Sequence, residues 1–142
     1  MTTHFTFEEM TRTSYPVKNE PTEEHHENML ILCEKVLEPA RLALGPIKVN
    51  SGYRSRALNK MIKGAANSHH CRGMAADLDL WRRNNLLFDW IRKNCQFTQL
   101  INEFPNDKGV PRWVHVSYDP NDIRNEVLRA DKRGGRTVYT RM

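Results

Sequence analysis

The sequence predicts an α+β domain: a small, mostly antiparallel sheet flanked by helices. Three observations point there. A long helical pattern precedes every strand-like segment, the strand-like segments are short and alternate, and two further helical stretches fall between them. The 142 residues, 39% hydrophobic and 27% charged, match one ordinary globular domain over residues 1–142. No stretch approaches the roughly 20 apolar residues of a membrane span, so none is expected.

Residues 1–21 read as an irregular lead-in, broken by Pro16 and Pro21, with a short element at Phe5–Met10. From Thr22 to Leu44 the pattern is helical. Leu30, Cys33, Leu37, Ala40 and Leu44 recur at three- and four-residue steps, acids fill the first turn, and Gly45-Pro46 ends it. Pro39 lies inside this run and is expected to kink or split it. Ile47–Asn50 alternates as a strand, Arg56–Ile62 suits a short helix, and Ala75–Leu80 reads as a buried strand. Trp81–Asn94 is amphipathic through Leu86, Leu87, Trp90 and Ile91. Phe97–Phe104 and Trp113–Tyr118 are strands joined by a polar loop. Asp122–Ala130 reads as a last short helix, followed by a basic tail over residues 131–142 that contains Gly134-Gly135.

Charge is uneven. The net charge is +5, yet residues 1–30 hold six acidic against two basic side chains, so the remainder is strongly basic. Such a surface favours anionic partners, an acidic cell-wall polymer among them. No zinc-finger spacing or RNA-binding aromatic motif supports a nucleic-acid partner. The N-terminus lacks the basic and apolar regions of a signal peptide, so synthesis in the cytoplasm is expected. Cys33, Cys71 and Cys95 form no C-x-x-C pair and are expected to be reduced.

Two imidazoles and a carboxylate, His70, Asp77 and His115, make a three-point ligand set for zinc that leaves a fourth position open, as in hydrolytic sites. Six residues separate His70 from Asp77, too many for one helical turn, so a loop and its following strand must supply them. His69 is equally able to bind metal, and Cys71 offers a thiolate. Alternation puts Asp77 and Asp79 on one face; that face either meets a cation or simply meets solvent. His115 sits in an apolar strand, opposite in orientation to Val114 and Val116. Glu103 ends the preceding strand, where a carboxylate can serve as general base. Arg54 follows a strand and a Gly turn, where a guanidinium can grip a carboxylate or an oxyanion.

Taken in order, Ser51-Gly52-Tyr53-Arg54-Ser55, Asn59, Gly64-Ala65, Ser68-x-His70-x-x-Gly73-x-Ala75-x-Asp77, Glu103 and Trp113-Val114-His115-Val116-Ser117 closely resemble the M15 metallopeptidases. The compact phage-type peptidases of that family are the nearest in pattern, and the likeness runs from roughly Phe5 to Tyr139. The resemblance implies the fold of the D-Ala-D-Ala carboxypeptidases and the hedgehog domain. It implies one Zn2+ per chain on His70, Asp77 and His115, with Arg54 binding substrate or oxyanion and Glu103 as base. Ser51, Tyr53, Ser68 and Ser117 belong to the same motifs and are expected to contact substrate. Arg112 stands three positions before the last ligand, where many members have an acid, so Glu103 must act from the neighbouring strand. The implied activity is hydrolysis of an amide in the peptide stem of peptidoglycan, either as a D-Ala-D-Ala carboxypeptidase or as an L-Ala-D-Glu endopeptidase. It would be performed by a monomer reaching the wall as a phage lysin or virion component. The alternative is a non-catalytic, zinc-containing wall-binding or virion structural module on the same fold.

Overall fold

A computed structural model describes residues 1–142. Helix α1 (Phe7–Thr11) is capped by Thr6, and α2 (Glu23–Leu32) by a capping box in which Thr22 and His25 satisfy each other's backbone. The expected break at Pro39 does not occur. The chain passes from α2 through a π turn at Cys33–Leu37 into α3 (Glu38–Leu44) without leaving the helical region. A proline clashes with the carbonyl four residues earlier, and the widened turn just before Pro39 absorbs that clash within the helix.

The strands are β1 (Lys48–Ser51), β2 (Ala75–Asp79), β3 (Gln99–Glu103), β4 (Trp113–Ser117), β5 (Glu126–Arg133) and β6 (Arg136–Arg141). They form one sheet in the order β1-β2-β4-β3-β5-β6. Only the β3–β5 pair is parallel; every other neighbour is antiparallel. Helices α4 (Arg56–Met61) and α5 (Asn84–Asn94) fill the connections. The α+β class and the mostly antiparallel sheet are therefore as the sequence predicts.

The C-terminal region differs. Asp122–Ala130 is not a helix, and residues 131–142 are not a free tail: Glu126–Arg141 is a β-hairpin added to the sheet. Asn125 explains the change. It adopts φ +49°, its amide donates to Phe97 O and its side-chain oxygen accepts from Phe97 N, so the chain is pinned to the start of β3 rather than coiling. Gly134 and Gly135, both at positive φ, close the hairpin between Arg133 and Arg136.

Alternation divides the sheet cleanly. Ala76, Leu78, Leu100, Val114 and Val116 share one face and are buried in a single core with Met29, Leu32, Val36, Leu37, Leu87 and Ile91. Each large apolar side chain so buried contributes about 1.5–3 kcal/mol. The opposite face presents Asp77, His115, Ile101 and Glu103 in neighbouring strands, and it is this face that carries the chemistry.

Candidate metal centre and cleft

Asp77 and His115 are direct partners across β2 and β4, so their side chains leave the same face at adjacent positions. His70 arrives from a one-turn 3-10 helix (His69–Arg72) capped by Ser68, whose hydroxyl accepts from the His70 amide at 3.1 Å. Gly73, at φ +73°, then reverses the chain into β2. A side chain there would strike the His25 carbonyl at 2.7 Å. One donor atom from each of His70, Asp77 and His115 lies within 4.8 Å of the others. Asp77 Oδ1 is 3.3 Å from His70 Nε2 and 3.0 Å from His115 Nδ1.

The donor set fits zinc. Ligand bonds of about 2.0–2.1 Å in a tetrahedron place donors about 3.3–3.4 Å apart, close to the separations from Asp77. The His70 tautomer is fixed from behind: its Nδ1 lies 2.7 Å from Gly52 O, which can only accept, so Nδ1 carries the proton and Nε2 presents a lone pair. Burial holds His70 below the usual imidazole range and therefore neutral. Burial pushes Asp77 upward, but the positive charge and hydrogen bonds that His70 and His115 offer when protonated outweigh it and keep the carboxyl far below its usual range, ionised. A neutral imidazole and a carboxylate are the forms that bind metal.

Arg54 locks the far side of Asp77. Its Nη2 donates to Asp77 Oδ2 at 3.0 Å, its Nε to Ser51 Oγ at 2.9 Å, and its Nη1 approaches Asn59 Oδ1 at 3.4 Å. A bulge in β1 between Val49 and Ser51 aims Ser51 at this guanidinium. Asn59 is fixed in turn by the Ala65 carbonyl, and Gly64 leaves room for it: a Cβ there would sit 2.0 Å from Asn59 Oδ1.

The cluster lies in an open cleft of about 470 Å³ that also admits Arg54, Ser68, Glu103, Gln99, Trp113, Arg124 and Tyr139. Glu103 is 7% exposed, and burial raises its carboxyl to about 7 against the pull of His115 and Arg54. That is the range of a general base at neutral pH. Arg112 donates its amide to the Glu103 carbonyl and lies in a separate depression beside Phe104, away from the trio.

The predicted residues therefore divide. His70, Asp77, His115, Glu103, Arg54 and Ser68 meet in the cleft. Ser51 reaches it only through Arg54. Tyr53, 6% exposed, stacks on His25 instead. Ser117 is fully buried and accepts from the Gln99 amide, so it anchors the β3–β4 pair rather than facing the cleft. His69 lines the cleft but stands outside the donor trio, and Cys71 faces a different hollow. Asp79 shares Asp77's face but accepts from Trp81 N and Asn84 Nδ2, which is a structural role. Sequence reasoning missed Gln99, Trp113, Arg124 and Tyr139. The first two were visible as alternation partners of Ile101 and His115; Arg124 leads into the hairpin and Tyr139 lies on it, in the segments expected as helix and tail.

Comparison with known proteins decides the lineage. The family model described as Peptidase M15 matches residues 3–117.

The chain belongs to the M15 peptidase family.

It is also 35% identical over 92 residues to the zinc D-Ala-D-Ala carboxypeptidase of Streptomyces albus G, a match covering 63% of this chain. The match covers 35% of that relative, so the M15 chain described here spans about a third of its length. The segment matched by the family model ends with β4, at Ser117, and thus includes every member of the donor trio together with Arg54 and Glu103.

Proposed function

We propose that this chain is a zinc peptidase that hydrolyses an amide bond in the peptide stem of peptidoglycan. The carrying observation is the trio His70, Asp77 and His115 on the floor of an open cleft, with a buried carboxyl at its side. Three protein ligands suit a catalytic site, because a structural zinc is usually closed by a fourth. Zinc held by these residues would keep one position open, lower the pKa of water there toward about 7 and polarise a carbonyl.

The chain's own residues supply the rest. Glu103 takes the proton from the attacking water and returns it to the leaving nitrogen, a role that suits a carboxyl lining the same cleft as the trio. Arg54 orients Asp77 through its hydrogen bond, and from the cleft edge its guanidinium stabilises negative charge developing on the carbonyl oxygen. Gly52 O holds His70 in the ligating tautomer.

The stem peptide of the wall is the substrate favoured by the named function of the Streptomyces relative and by the basic surface beyond residue 30. The open cleft suits either a D-Ala-D-Ala carboxypeptidase or an L-Ala-D-Glu endopeptidase of phage-lysin type. No helix of the structure is long and apolar enough to cross a membrane.

The test is hydrolysis of purified peptidoglycan by metal-analysed protein, with and without chelator, followed by mass spectrometry of the fragments. About one zinc per chain and chelator-sensitive release are expected; a lost D-Ala or an internal cut then names the bond. Bound zinc without release from any wall type would turn the assignment to a non-catalytic wall-binding module.

A further inference from the structure

The C-terminal hairpin lies beyond residues 3–117, the part matched by the family, yet it builds a wall of the cleft. Tyr139 on β6 pairs with Ala130 on β5, and Ala130 pairs with Glu103 on β3, so the three side chains form one row on the cleft face. The middle member is an alanine with no exposed surface. It ends at Cβ and separates Glu103 from Tyr139, whose backbones are about 10 Å apart at two strand spacings. Tyr139 is 55% exposed and lines the same cleft as Glu103 and the donor trio.

Strand order gives the placement a direction. Arg54 follows β1 at one edge of the sheet, Tyr139 lies on β6 at the other, and the strand-borne ligands stand between them on β2 and β4. A peptide lying across the strands thus meets a guanidinium on one side of the trio and a phenol on the other. An exposed phenol combines a rigid apolar face with a hydroxyl donor, and an edge strand needs neither for its own pairing.

We propose that Tyr139 is a substrate-contacting residue, its ring forming the cleft wall beyond Glu103 and its hydroxyl donating a hydrogen bond to a carbonyl or carboxylate oxygen of the bound peptide. The identity of that peptide rests on the peptidase reading above; the location of Tyr139 does not.

The experiment uses zinc-loaded protein and soluble stem peptides prepared from peptidoglycan. Binding is measured by calorimetry in a Glu103→Gln background, which slows turnover, and kcat and KM with Glu103 intact. Tyr139→Phe keeps the wall and removes the donor, so Kd and KM should rise about five- to tenfold, with kcat within about threefold, and zinc content and unfolding midpoint unchanged. Tyr139→Ala should weaken binding further by opening the wall. Parent-like binding and KM in both variants would overturn the assignment, as would a Tyr139→Phe protein whose loss is matched by a lowered unfolding midpoint. A parent that neither binds nor cleaves the stem peptides would refute the peptidase reading itself, and the contact with it. That failure appears in the parent and is distinct from one confined to the variants.

Discussion

Arg54 Nη2 donates to Asp77 Oδ2 at 3.0 Å, and both side chains are only 12% exposed. Since Oδ1 of the same carboxylate faces both histidines, Arg54 is tied to the donor trio through one residue. Replacing Arg54 with Gln has two opposed effects on zinc: Asp77 loses its orienting partner, and a positive charge beside the ion disappears. Zinc content should therefore stay near one per chain, while hydrolysis falls by roughly 10²–10³ through loss of a preorganised donor. Metal analysis beside steady-state kinetics separates the two. Loss of zinc in step with activity would show that orientation alone decides.

Asp77→Asn removes the anion from a buried cluster and leaves the Arg54 guanidinium without its partner. Breaking such a buried pair costs on the order of 3–5 kcal/mol, to be read by urea unfolding of the metal-free protein. The sign with pH follows from the depressed carboxyl. The parent's extra stability is present above the ordinary Asp value of about 3.9 and drains away as pH falls below it, whereas the Asn variant should show a shallower acid transition. His115→Ala, with the Asp77–Arg54 pair intact, should fold but bind no zinc and hydrolyse nothing.

Strand alternation alone puts Asp77 on the face opposite Ala76 and Leu78, and His115 opposite Val114 and Val116, but leaves that face open to a cation or to solvent; the likeness to the M15 pattern is what implies a ligand set with His70. Arg54 was legible as a residue after a Gly turn, but its bond to Asp77 was not, since the contact spans 23 positions and depends on a bulge at the end of β1. Ser117 misled for a related reason: its neighbour His115 shares its face, yet pairing with Gln99 buries the hydroxyl. At the C-terminus, Ile123 stands four residues before Val127, a helical spacing, and the adjacent Val127 and Leu128 hide any strand alternation. The Gly134-Gly135 pair flanked by Arg-Thr-Val-Tyr-Thr carried the hairpin signal, and reading it would have brought Tyr139 to the cleft.

Glu103 should govern stability against pH in the metal-free protein. Its carboxyl moves from 4.5 to about 7 on folding, so the native state binds the extra proton between those values. Stability must then fall as pH rises through that window, by on the order of 3 kcal/mol in all. Glu103→Gln should remove this slope, retain zinc, and lower hydrolysis by roughly 10²–10⁴. Unfolding midpoints at pH 5 and pH 8 in chelator give the check: equal pH dependence in parent and variant would place the titrating group elsewhere.

Gly52 joins the core to the donor trio, so a single methyl there should damage both. Its carbonyl accepts from His70 Nδ1 at 2.7 Å, and the next amide, Tyr53 N, donates to Met10 O at 2.8 Å. A Cβ on residue 52 would lie 2.3 Å from that same Met10 oxygen, a contact with backbone that no rotamer can relieve. Either α1 retreats or the Gly52 turn shifts, and a shifted turn withdraws the acceptor that fixes the His70 tautomer. Gly52→Ala should therefore cost about 1–3 kcal/mol by overpacking and weaken zinc roughly 10- to 100-fold through the lost support of a ligand. The Arg54 variant, by contrast, should lose activity with its zinc in place. Zinc competition titrations on Gly52→Ala beside its unfolding curve would decide the point: lost stability with undiminished zinc affinity would mean that α1 moves and the His70 support survives.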